Sequence, residues 1–324
     1  TACHLADIAD NARDVDLAIR WGYGWLAGPF ETWQASGWKA VAGWVAADIA
    51  AGKAMSKAPL PAWVGDGREG VHGAGGSYSP SINAARPRST NPVYKRQHFP
   101  DPVLGEKPAA GSTIFETDAL RCWSLGDEVG IVSFKTKLNT VSGSVLDGIH
   151  QAIDHAERNL RGMVIWQPGE PFSAGADLSG AMESLKGGRI AEFDAMVNRF
   201  QQTSMRIKFA LVPVVSAIRG MALGGGCEFQ MHSARTVAAL ESYVGLVEAG
   251  VGLLPGGGGC KEIALRSAER AQFVQGGDVL PFLQKYFQTV AMGTVSGSAL
   301  EAKELGLLRA TDTVVFNAHE LLYV

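Results

Sequence analysis

The chain is short of the features that classify a protein fastest. No apolar run approaches the roughly 18 residues needed to span a bilayer, so no membrane span is expected. The opening TACHLADIAD has neither a basic end nor an apolar stretch, and does not read as a signal peptide. Only four cysteines occur (Cys3, Cys122, Cys227, Cys260), far apart and without a CxxC pair. They offer no zinc or disulfide framework, so no metal site is expected, and free thiols fit a reducing, cytoplasmic compartment. The net charge of −3 gives no reason to expect a nucleic-acid or anionic-membrane partner. There is no GxGxxG after a strand with a downstream acid and no GxxxxGK[ST], which argues against nucleotide-phosphate binding. Ser173 and Ser216 lack a GxSxG context. A starting Met is also missing, so the chain is expected to be a piece of something longer.

What is present is a globular composition, 46 % hydrophobic and 19 % charged over 324 residues, enough for one large domain or two ordinary ones. Residues 5–56 read as helices, with Ile8, Val15, Ile19, Trp25 and Leu26 near helical spacing and a turn at Ala27–Phe30. Residues 65–112 are dense in Gly, Pro and Ser and read as a connector that Tyr78, Tyr94, His98 and Phe99 could pin to a neighbouring surface. From 113 onward the rhythm is α/β. Short apolar runs at 130–134, 163–166, 212–218 and 235–240 read as strands, and 142–159 and 190–208 as helices. Val145, Leu146, Ile149 and Ile153 share one helix face. Residues 219–226 read as a Gly-rich turn, with a helix from Cys227 to His232.

The 40 glycines are clustered, and three segments stand out: FSAGADL (172–178), RGMALGGGCEF (219–229) and VGLVEAGVGLLPGGGG (244–259). A Gly run between strand and helix lets backbone approach a ligand, and free N–H groups at a helix start can hold an anion or a developing oxyanion. Taken alone, such a run is as simply a tight turn. Glu228 falls in the first turn of its helix, where a lone carboxylate often only complements the helix dipole. Glu248 lies between apolar neighbours, where burial raises a carboxyl pKa. Two carboxyls beside an oxyanion site form a plausible acid/base pair. Asp177 reads as a helix N-cap, His232 as structural, and Cys227 as a small buried side chain with no histidine placed to activate it.

In that order, FSAGADL, VPVVSAIRGMALGGGCEF and VEAGVGLLPGGGG closely resemble the crotonase (enoyl-CoA hydratase/isomerase) superfamily over about residues 113–310. The resemblance implies a crotonase-like (ββα)-superhelix core and a coenzyme A thioester substrate. It implies Glu228 and Glu248 as catalytic carboxylates, and the backbone N–H groups of Ala176 and Gly225 as an oxyanion hole. Gly256 would lie near the catalytic water. Ala174, Ala176 and Leu178 would border coenzyme A, with Lys137 near it. Residues 10–37 resemble the end of the helical domain of 3-hydroxyacyl-CoA dehydrogenases, so the chain as a whole resembles the C-terminal portion of a fused dehydrogenase–hydratase of fatty-acid β-oxidation. The expected organisation is a helical dehydrogenase remnant at 1–64, a connector at 65–112 and a crotonase-like domain at 113–324 that stops short of the family's C-terminal helices. No resident cofactor is expected: coenzyme A arrives in the substrate, and NAD would belong to a dehydrogenase domain upstream. A homo-oligomer, trimer or dimer, is compatible with the resemblance.

The expected activity is hydration of a 2-enoyl-CoA. A Δ3,Δ2-enoyl-CoA isomerase needs one base rather than two, and a non-catalytic acyl-CoA-binding module is the rival from another class. Met182, Leu185, Phe193 and Met196 could line an acyl tunnel or simply form a buried helix face.

Overall fold

The computed structural model describes residues 2–6, 9–106 and 111–324. Ile8, counted above in the helical spacing, and positions 107–110 of the expected connector lie outside the described residues. The chain divides into two compact units, Thr1–Ala109 and Ala110–Val324.

The first unit holds α1 (Ala2–Leu5), α2 (Ala12–Tyr23), α3 (Pro29–Ala35) and α4 (Trp38–Ala50). The expected turn at Ala27–Phe30 exists because Gly28 caps α3 and Pro29 opens it, a first-turn position where the missing N–H costs nothing. A small antiparallel sheet follows, β1 (His72–Gly73), β2 (Gly76–Ser79) and β3 (Ala84–Arg86), and then α5 (Pro92–Lys95). Residues 65–106 are therefore not a bare connector. Val71, Tyr78 and Val103 are buried; Trp33, Trp38 and Trp63 stack at centroid spacings of 4.8 and 6.3 Å, and Tyr78 packs tilted against Trp63 at 5.1 Å. Gln34 on α3 accepts from the N–H groups of Val71 and His72 and donates to the His72 carbonyl. Sequence periodicity misses this because Gly- and Pro-rich backbone can pack by aromatic anchors and side-chain hydrogen bonds without a repeating apolar pattern.

The second unit carries a seven-stranded sheet. Its strands are β4 (Ser112–Glu116), β5 (Leu120–Ser124), β6 (Val129–Phe134), β7 (Gly162–Trp166), β8 (Val214–Leu223), β9 (Arg235–Gly245) and β10 (Thr313–Val315). They lie in the order β10-β9-β8-β7-β6-β5-β4. Pairs from β6 to β10 are parallel and the β4–β5–β6 edge is antiparallel. The connecting helices are α6 (Gly143–Asn159), α7 (Leu178–Lys186), α8 (Ile190–Lys208), α9 (Gly225–His232), α10 (Gly259–Ala271), α11 (Leu280–Ala291) and α12 (Ala299–Glu304). The α/β expectation holds. Val145, Leu146, Ile149 and Ile153 of α6 are all buried, and Ser142 caps that helix through the Val145 N–H.

One local expectation changes. Residues 219–223 are strand, not turn. β8 continues past Gly220, which takes φ +60° at a register shift, and pairs Met221 with Tyr243 and Leu223 with Gly245. The turn is confined to Gly224, and α9 starts at once on Gly225. Among the described residues no helix is long and apolar enough to cross a membrane.

Candidate active site

The site is built where three connections meet: the segment after β7, the β8–α9 turn, and the stretch from the end of β9 to α10. The first is clamped on both sides. Phe172 and Ser173 donate to the Arg219 and Met221 carbonyls, and Leu223 donates back to Ser173. On the other flank Ala174 donates to Leu138, Val141 to Gly175, and Asp177 to Val141. Successive amides of an extended segment point to opposite sides. The N–H of Ala176, between two committed neighbours, has no acceptor among the described residues. Neither does the N–H of Gly225, which opens α9 and so has no intrahelical partner.

These two amides are neighbours, since a Cβ on Gly225 would lie 3.3 Å from the Ala176 nitrogen. Gly175 makes the approach possible. Its φ is +100°, and a side chain there would sit 3.0 Å from the Leu223 carbonyl oxygen. Two adjacent free amides of this kind can together hold an anionic oxygen.

The carboxylates converge on the same place. Glu228, one turn into α9, is 3 % exposed. Its Oε1 accepts from the Gly259 N–H at 2.8 Å, and the Gly257 N–H also favours the anion. Burial and then the charge of Glu248 outweigh these amides and push its pKa up to about 8. A carboxyl this far above its usual range can hold a proton at neutral pH and serve as an acid. Glu248 opens the short 3-10 turn Glu248–Val251. Its pKa is also raised by burial, and its Oε2 is buried without a partner among the described residues. A Cβ on Gly224 would come within 3.5 Å of Glu248 Oε1, which sets this carboxyl beside the free amide of Gly225.

Gly257 and Gly259 bring backbone against Glu228, whereas a Cβ on Gly256, the glycine expected beside the water, would meet Val197. A Cβ on Gly257 would meet Glu228 Oε2 at 2.3 Å and the Phe200 ring at 2.5 Å. The same ring would meet a Cβ on Gly225 at 2.5 Å, and it stacks on Phe229 at 5.0 Å. Phe200 therefore underlies both the amide pocket and the carboxylate loop. Sequence reading missed it, because an aromatic on a buried helix face carries no distinguishing signal.

Ala174, Ala176 and Leu178 are half-buried along one rim, and Lys137 is exposed beside it, in the turn whose Leu138 carbonyl receives the Ala174 N–H. Asp177 caps α7 by accepting from the Ser179 N–H, as expected. His232 is buried below the site. Lys261 can only donate to its Nε2 (2.9 Å), so Nδ1 carries the hydrogen donated to the Glu228 carbonyl (2.7 Å), and burial lowers its pKa to about 4. Burial raises the Cys227 thiol far above its ordinary range, which leaves it inert. Ser173 donates to the Asn139 carbonyl, and Ser216 pairs with Ser233. On the neighbouring helices α7 and α8, Met182 is exposed while Leu185, Phe193 and Met196 are half-buried. Among the described residues no cluster of His, Cys, Asp and Glu could hold a metal ion.

The family model for enoyl-CoA hydratase/isomerase matches residues 127–272. A Bacillus subtilis protein named probable 3-hydroxyacyl-CoA dehydrogenase is 35 % identical over 98 % of this chain, which covers 39 % of that protein. A Rickettsia felis protein named putative fatty acid oxidation complex trifunctional enzyme is 28 % identical over 81 % of the chain, covering 32 % of its own length. The chain thus spans about a third to two fifths of these relatives. The crystal structure of an enoyl-CoA hydratase from Bacillus anthracis superposes with a TM-score of 0.50 at 25 % identity, over 63 % of this chain and 72 % of that one.

Proposed function

The segment 127–272 belongs to the crotonase (enoyl-CoA hydratase/isomerase) superfamily, whose members act on acyl-CoA thioesters, and from that premise we propose that this chain hydrates 2-enoyl-CoA substrates. The observation that carries the reading is the pair Glu228 and Glu248 converging beside two unbonded amides.

The thioester oxygen sits on the Ala176 and Gly225 N–H groups, which are strongest for the enolate-like transition state because they are fixed before charge develops. Burial raises both carboxyls and the charge of Glu248 raises Glu228 further; in this scheme the pair holds one proton between them. The ionised member accepts a proton from water as its oxygen bonds to Cβ. The protonated member delivers a proton to Cα. The product is a 3-hydroxyacyl-CoA, and the pair again holds one proton. Gly256 closes the water position, and the rim of Ala174, Ala176, Leu178 and Lys137 receives coenzyme A. No resident cofactor enters this scheme.

An isomerase reading has one observation on its side. Glu228 is tied to backbone amides while Glu248 keeps a free Oε2, and a Δ3,Δ2 shift needs only one base. That a relative is named a probable 3-hydroxyacyl-CoA dehydrogenase, while the matching family model is enoyl-CoA hydratase/isomerase, supports a longer protein with both activities. We propose that the longer protein to which such a chain corresponds oxidises the 3-hydroxyacyl-CoA formed here, the first unit being the end of the dehydrogenase's helical domain.

The test follows loss of the conjugated-thioester absorbance of crotonyl-CoA with the parent, Glu228→Gln and Glu248→Gln. Hydration lost in both variants supports the paired mechanism. A Glu228→Gln chain that still converts a 3-enoyl-CoA to its conjugated isomer, with a parent inactive on crotonyl-CoA, establishes the isomerase. Binding of acyl-CoA without either reaction leaves a non-catalytic module.

A further inference from the structure

The run Gly256–Gly259 is the most delicate part of the site, because four glycines restrain their own backbone least and yet hold the Glu228 carboxylate. Side chains crowd it without directional bonds: a Cβ would meet Val197 at Gly256, Phe200 at Gly257, the ring of His232 at Gly258, and Leu246 and Pro255 at Gly259. A further interaction is directional. Gln201 of α8 donates from Nε2 to the Gly256 carbonyl at 2.7 Å. Apart from Glu228 itself, it is the one side chain among the described residues that hydrogen-bonds the backbone of this run. Gln201 is exposed, so this bond is not explained by a need to satisfy a buried amide.

We infer that Gln201 is a positioning residue that fixes the Gly256–Gly259 run, and with it the amides of Gly257 and Gly259, against the Glu228 carboxylate. This inference rests on the hydration reading for its kinetic consequence, though not for its physical one. Without the Gln201 donor the run loses its directional anchor and the two amides drift. A carboxylate that loses amide donors is less stabilised as an anion, so its proton affinity rises. The other groups facing Glu228 stay in place. They are the carboxyl of Glu248 on its 3-10 turn, the thiols of Cys227 on α9 and Cys260 on α10, and His232 at the Glu228 carbonyl with Lys261 behind it.

The experiment compares the full chain with Gln201→Ala and with Gln202→Ala, whose side chain turns instead to Asn198. Three quantities are read: the 13C carboxyl titration of Glu228, assigned by its loss in Glu228→Gln; crotonyl-CoA kinetics; and the melting temperature. In Gln201→Ala the titration midpoint rises and kcat falls about 10-fold, short of the ~10²-fold that a 1 Å misplacement costs. KM and the melting temperature hold, and Gln202→Ala moves nothing. An unchanged titration midpoint in Gln201→Ala overturns the inference, whatever happens to stability. A parent chain without hydration activity overturns the functional reading instead, and the titration by itself then decides the role of Gln201.

Discussion

Two carboxylates, one in each unit, are buried almost equally and are bonded in opposite ways. Asp16 of the first unit is fully buried, and both its oxygens are bonded. They accept from the Phe30 and Glu31 N–H groups at 2.8 and 3.0 Å, anchoring the start of α3, and from His72 Nε2 at 2.7 Å, while His72 Nδ1 meets Ser77 Oγ at 2.8 Å. On distances alone these three residues resemble a Ser-His-Asp relay. Ser77 is completely buried, however, and the carboxylate already serves as a helix anchor. Glu228 is held by two amides and faces a second carboxyl with a free oxygen, which itself lies beside the unbonded amide of Gly225. Burial does not distinguish the carboxylate proposed as catalytic from the structural one. Unused bonding capacity next to it does.

The strongest test of that contrast removes the charge at the second site. Glu228→Gln and Glu248→Gln should each lower kcat for crotonyl-CoA hydration by about 10²–10⁴-fold, the usual reach of a single acid or base. Stability should move the other way. The folded pKa of Glu228, about 8, lies above the ordinary 4.5, so the folded state binds more protons than the unfolded one between those values. Its contribution is therefore fully present below about pH 4.5 and is lost as pH rises toward 8, on the order of a few kcal/mol. Urea unfolding of the parent across that window should show the decline. Glu228→Gln should flatten it, and an unflattened profile would assign the decline to other groups.

Next in size comes the amide pocket. Gly225→Ala puts a Cβ 2.5 Å from the Phe200 ring and 3.3 Å from the Ala176 nitrogen, so both amides shift. A loss of about 10²–10³-fold in kcat is expected, the cost of one oxyanion donor, with a smaller change in acyl-CoA affinity by calorimetry. The mirror experiment belongs to the first unit's carboxylate. Asp16→Asn keeps one acceptor but cannot serve two amides and His72 together, and should cost about 2 kcal/mol in unfolding free energy with kcat unchanged. A fall in kcat without loss of stability would break the comparison, because it would give Asp16 a part in the chemistry.

Much of the second unit is legible in the amino-acid sequence, and the reason is local. The strand-to-helix turn at Gly224–Gly225, the face of α6 and the cap at Asp177 each depend on residues within a few positions of one another. What escaped depends on distant segments. That Arg219–Leu223 is strand follows from its pairing with 242–245, about twenty residues on, which overrides the glycine. The cradle around Glu228 joins α9 to the start of α10, and Phe200 reaches it from α8, with no periodic or motif signal to link them. The first unit was least legible beyond residue 64, because its order comes from tryptophan stacking and the Gln34 bridge across some 37 positions.

The smallest effect concerns the border between structural and chemical roles within the site. Asp177 follows Ala176 directly, and its side chain caps α7 through the Ser179 N–H and hydroxyl. Asp177→Ala should cost about 1 kcal/mol, the usual value of an N-cap. The Ala176 amide should stay where it is, because the flanking bonds that orient it are backbone bonds, from Val141 to Gly175 and from Asp177 to Val141. A polarisable acyl-CoA chromophore bound in the pocket reads this directly, through the red shift its carbonyl takes from the two amides. The expectation is a lowered melting temperature with the same red shift. A reduced shift would mean that α7 itself holds the amide in place, and that the cap belongs with the oxyanion pocket rather than beside it.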